Sequence, residues 1–83
     1  MEKEIKKQIE KEVAKCERRM KWSLHPQHYW MHRKAMLMNC LNFGVEVVMG
    51  DIEKTLQRSN GLLDEVLKAH QDTLLDLQTK WAQ

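Results

Sequence analysis

Proline occurs once and glycine three times in these 83 residues, so backbone chemistry imposes few turns and long regular elements are favoured. Cysteine is equally sparse: Cys16 and Cys40 are the two present, each among apolar neighbours in a stretch of helical spacing. There a thiol acts as a small buried hydrophobe; a secreted disulfide scaffold needs more cysteines in loop-rich sequence. No segment alternates apolar and polar residues over more than a few positions, which removes strands. No uninterrupted apolar run approaches the roughly 20 residues that span a bilayer. The opening stretch MEKEIKKQIEKE is densely charged and has no signal-peptide apolar region. These absences predict an all-α chain in a reduced, cytoplasmic setting.

What is present is helical periodicity. Ile5, Ile9, Val13, Cys16 and Met20 form one stripe, and Glu2–Lys6 and Glu17–Lys21 have the supportive four-residue spacing. A first helix is expected over about residues 2–22. Pro26 ends it, making Ser23-Leu24-His25 a short turn and starting a second helix. So short a connection folds the second helix back antiparallel to the first. The second helix is expected from about Pro26 to the Met49-Gly50 region. Beyond it the stripe resumes as Ile52, Leu56, Leu63, Val66, His70, Leu74, Leu77 and Trp81. Asn60-Gly61 predicts a break, with Asp64 and Glu65 suited to the start of a third helix that runs to about Trp81. One long helix from Asp51 that tolerates Gly61 is the alternative. The expected organisation is a single helical domain over residues 1–83: a hairpin over about 2–50 and a C-terminal helical extension over about 51–83.

Charge is unevenly spread. Residues 1–34 carry ten Lys/Arg against five Asp/Glu, and residues 35–83 carry four against seven, so a basic front half faces an acidic back half. Lys15, Arg18, Arg19, Lys21, Arg33 and Lys34 cluster about the first turn, with Trp22, Tyr29 and Trp30 among them. Phosphate neutralisation with base stacking is one use of such a cluster; plugging the end of the hairpin is the blander one.

Candidate chemistry is thin. His28 and His32 share a helix face beside His25, but the residues between them are Tyr-Trp-Met, without the glutamate of a zinc hydrolase. His70 stands apart in sequence. No metal or other cofactor is implied, and adventitious metal binding by His25, His28 and His32 stays open. Nothing resembles a nucleophile elbow or a phosphate-cradling glycine loop. A non-enzymatic chain is expected.

The second helix is apolar on nearly every side, from Tyr29 through Met49, with Met31, Met36, Met38 and Met49 among its residues. Methionine moulds to partners, and interfaces are rich in Met and aromatics. Neither the first nor the third helix offers enough apolar surface to shelter it. Tyr29, Trp30, Met31, Leu37, Met38, Leu41, Val45 and Val48 are therefore the expected partner-binding residues.

The hairpin, its turn His25-Pro26-Gln27-His28-Tyr29 and the apolar run from Ala35-Met36-Leu37 through Val45-Glu46-Val47-Val48 resemble the small needle co-chaperones of bacterial type III secretion. The resemblance covers about residues 5–50; residues about 59–83 extend past where such proteins mostly end. It implies a non-catalytic cytoplasmic co-chaperone that packs against a helical-repeat chaperone of an export substrate. Two other readings remain: a homo-oligomeric helical bundle or adaptor built on the coiled-coil-like phase from Ile52 to Trp81, and a small nucleic-acid-binding regulator using the basic turn. A protein partner or self-association is expected, with neither nucleic acid nor membrane insertion.

Overall fold

The stripe that begins at Ile5 sets the first element. In the computed structural model, which describes residues 1–22, 27–58 and 60–82, α1 spans Lys3–Trp22 and buries Ile5, Ile9, Val13 and Cys16. Spacings of four, four and three keep these side chains on one face while Lys and Glu stay in water. α2 occupies Gln27–Phe43, α3 Val45–Gln57 and α4 Asp64–Gln78. Among the described residues every regular element is a helix, and the fold is all-α. The expected turn at Ser23-Leu24-His25, with Pro26, lies outside the described residues.

The second helix does not run unbroken to the Met49-Gly50 region. It breaks at Gly44, where φ is 100° and ψ 156°, a conformation that side chains with a Cβ rarely adopt. No atom lies within 4 Å of the place a Cβ would take, so the backbone angle, not space, demands glycine there. Gly50 instead sits inside α3, where it costs about 1 kcal/mol relative to alanine. The break re-aims the chain beyond it. Val45 lies two helical turns beyond Met38, and an unbroken helix would place both on one exposed side. After the corner Val45, Val48 and Ile52 are all buried.

The break expected at Asn60-Gly61 is present. α3 ends at Gln57, Gly61 takes φ 90°, and Asp64 and Glu65 occupy the first turn of α4, where carboxylates suit the helix dipole. The third element of the expectation is thus the fourth helix, beginning at Asp64 rather than near Asn60.

Side-chain pairs give the directions. Arg19 lies over Trp30 while Glu12, earlier in α1, meets Arg33 later in α2, so these helices are antiparallel. Tyr29 meets Asp72 and Arg33 meets Asp76 at the same sequence offset of 43, so α4 runs in the same sense as α2. Val45 and Met49 border one cavity with Leu77 and Gln78: α3 starts beside the end of α4 and leads back to its beginning. α2 packs against all three other helices. The core joins Ile9, Cys16, Leu37, Cys40, Val48, Ile52, Ala69, Leu77 and Trp81. Trp81 closes it, its indole N–H donating to Gln8 Oε1 at 3.1 Å.

Candidate functional site

The eight residues expected to bind a partner do not share one surface. Leu37, Val45 and Val48 are in the core, covered by the chain's own helices. Leu41 is half-buried against that core. Tyr29 and Trp30 are also half-buried, stacked edge to face with ring centroids 4.8 Å apart. Only Met31 and Met38, 43% and 42% exposed, lie on a common free face. Most of the apolar excess is therefore sheltered internally, because the corner at Gly44 turns α3 inward and α4 returns along α2.

What α2 leaves outside is distinctive in another way. Its exposed residues are Gln27, His28, Met31, Ala35, Met38, Asn39, Asn42 and Phe43, and all but Phe43, at the helix end, fall on one arc of the helix. None is Asp, Glu, Lys or Arg, in a chain of which 31% is charged. Solvent faces of small helices normally carry charge, whereas the centres of protein interfaces are depleted of it and enriched in Met. Phe43 and Val47, 67% and 52% exposed, flank the Gly44 corner at the end of this face.

The inward side of α2 carries the opposite chemistry. Arg33, counted from sequence in the basic cluster, is 4% exposed. Its guanidinium donates to Asp76 Oδ2 at 2.6 Å, to Thr73 Oγ1 at 3.1 Å and to Glu12 Oε1 at 3.2 Å. Burial works against its charge, but the hydrogen bonds and charges of Asp76 and Glu12 outweigh that and hold its pKa above the ordinary value. Tyr29 donates to Asp72 Oδ2 at 2.6 Å. Burial first, then that hydrogen bond, pushes the phenol well up. The sequence does hold a signal: Arg33 falls at inward spacing with Tyr29, Leu37 and Cys40, three or four residues apart at each step.

His70, remote in sequence, packs beside His32 with ring centroids 6.2 Å apart, and its Nδ1 contacts the Val66 carbonyl at 2.8 Å. Burial, then the neighbouring His70 and His28, lowers the pKa of His32. His25 lies outside the described residues. Among the described residues no three His, Cys, Asp or Glu side chains converge as metal ligands.

Cys16 and Cys40 are both fully buried. Burial raises both thiols, Cys40 to about 11, which keeps them protonated and unreactive at neutral pH. A cavity of about 230 Å³ between the start of α3 and the end of α4 is lined by Val45, Glu46, Met49, Leu77, Gln78 and Ala82. No described helix is long and apolar enough to cross a membrane.

No family model, curated protein or solved structure matches the chain.

Proposed function

We propose that this chain is a non-catalytic cytoplasmic interaction module that receives a partner helix on the uncharged face of α2. One observation carries the reading: the arc from Gln27 to Asn42, with Met31, Ala35 and Met38 along its middle, lacks the charges that cover the rest of the molecule. Residues spaced three and four apart on such a face suit helix-against-helix packing. Alanine between two methionines lets a second backbone approach while flexible thioethers fill the remaining gaps. Catalysis finds little support. The 230 Å³ cavity is smaller than the roughly 300–1,000 Å³ usual for ligand sites, and Glu46 is the one titratable group in its lining.

The narrower reading, a co-chaperone of type III secretion, draws its support from the resemblance over residues 5–50. In that case the helical-repeat chaperone would seat on the face α4 leaves free, since α4 already fills the opposite side of α2. Self-assembly through the Ile52–Trp81 stripe is less favoured, because Ile52, Val66, Leu77 and Trp81 are buried within the chain itself. Nucleic-acid binding by the basic turn loses Arg33 to Glu12 and Asp76, and Lys34 lies 3.9 Å from Glu17.

The test is site-specific photo-cross-linking in the native cell. A photoreactive residue at Ala35 should trap one defined protein, and the same residue at Lys7 should trap none. Met31→Glu with Met38→Glu should abolish that product while the helical circular dichroism stays unchanged. Identical products from positions 35 and 7, or a partner still captured by the double variant, would remove the proposal.

A further inference from the structure

We infer that the end of the hairpin where α1 finishes is a second surface, one that docks on anionic lipid headgroups with Trp22 as its anchor. Trp22, the last residue of α1, is 78% exposed, the largest exposure among the large apolar side chains described. Arg18, Arg19 and Lys21 are exposed beside it, and Lys21 Nζ lies 5.8 Å from the Trp22 ring centroid. Among the described residues no carboxylate is within ion-pair distance of these three cations. The helix dipole accounts for basic side chains in the last turn of α1. It gives no reason for an indole to stand in water at the same place.

Charge complementarity selects an anionic occupant, and the state of the aromatics selects which. A single strand of nucleic acid needs successive stacking platforms along a basic track. Trp30, the other indole at this end, is occupied: Lys15 Nζ lies 5.9 Å and Arg19 Cζ 5.7 Å from its ring centroid, and Tyr29 meets it edge-on. Trp30 is also half-buried against the core, which leaves Trp22 as the one exposed indole described at this end and makes one platform. A bilayer surface asks for no more than that, because tryptophan settles at headgroup level and each adjacent Lys or Arg strengthens partition into anionic membrane roughly fivefold. This surface is built on α1 residues and shares none with the uncharged face of α2, so its use does not depend on that reading.

The measurement is co-sedimentation of the full chain with vesicles of phosphatidylcholine containing about 30% phosphatidylserine. Binding should exceed that to pure phosphatidylcholine by at least about tenfold, and should vanish near 0.5 M salt, where the Debye length is only about 4 Å. Arg18→Glu with Lys21→Glu should cut partition by more than about tenfold, and Trp22→Ala should lower it as well by removing the headgroup-level anchor. These side chains are exposed, so the variants should keep wild-type circular dichroism. Equal binding to both kinds of vesicle, or wild-type binding by the charge-reversed variant, would overturn the proposal. So would salt-sensitive binding to a single-stranded oligonucleotide with no affinity for either vesicle.

Discussion

Two seams meet on α2, and they are made of different material. Toward α1 the buried side chains are Ile5, Ile9, Val13 and Cys16, facing a helix that buries Met36, Leu37 and Cys40. Toward α4 the contacts include Tyr29 with Asp72, and Arg33 with Thr73 and Asp76. The first seam gains free energy wherever apolar area leaves water, at about 25 cal/mol per Å², and cares little for angle. The second buries Ala69 and Leu77 as well, but its polar contacts gain only when donors and acceptors meet at hydrogen-bond distance, and a buried charge without its partner is costly. The α1–α2 seam thus supplies mainly adhesion, with Glu12 and Glu17 meeting Arg33 and Lys34 at its edge. The α2–α4 seam supplies most of the buried polar register.

The comparison breaks most visibly at Leu37. Leu37→Asp places an unpaired charge at a fully buried position of the core and should cost more than about 4 kcal/mol, leaving no cooperative urea transition. A variant that still unfolds cooperatively near the wild-type midpoint would mean the dry seam contributes little. Arg33→Ala strands Glu12 and Asp76, whose side chains are 19% and 21% exposed. Because water still reaches both carboxylates, the loss should sit near about 3 kcal/mol, the lower end for a broken buried pair. Arg33→Met should lose less than Arg33→Ala, because it keeps the packing.

Tyr29→Phe sharpens the distinction by removing a single hydrogen bond to a carboxylate, worth about 1.5–3 kcal/mol. The raised phenol pKa contributes stability that is complete below the ordinary tyrosine value of 10.0 and declines as pH rises past it. The gap in urea midpoint between wild type and Tyr29→Phe should therefore narrow above that value. His32 works in the opposite direction and more weakly. Its pKa is lowered from 6.5, so its contribution is present above that value and is lost as pH falls below it. His32→Gln should flatten that part of the acid limb in a midpoint-against-pH titration. Smallest of all, Lys7→Ala on the exposed side of α1 should change stability by less than about 0.5 kcal/mol.

The first seam is far more legible in the sequence than the second. Ile5, Ile9, Val13 and Cys16 announce their face by spacing alone, and all four are buried. Asn60-Gly61 marks the break before α4 because turn chemistry there is local. Gly44 gives no comparable signal: apolar residues continue on both sides of it, and Gly50 offers a rival stop six residues later. Arg33 reads as surface because it carries a charge, although its spacing is that of an inward residue. The partner-binding set goes astray for a related reason. Apolar content says that a side chain seeks cover, not which neighbour provides it, and for Leu37, Val45 and Val48 the chain's own helices do so. The uncharged arc is invisible in the sequence, because only the positions of α1 and α4 define which residues are left outside.

Arg33 also settles a question of chirality. A helix added to an antiparallel pair can lie on either flank of it, giving two mirror-related windings that hydrophobic burial alone hardly separates. In the observed hand the guanidinium reaches carboxylates on α1 and α4 together. In the other, α4 would lie on the flank of α2 that bears Lys34 and Met38, and Asp76 would be carried out of reach. One cation thus selects the handedness of the winding at the moment the last helix docks.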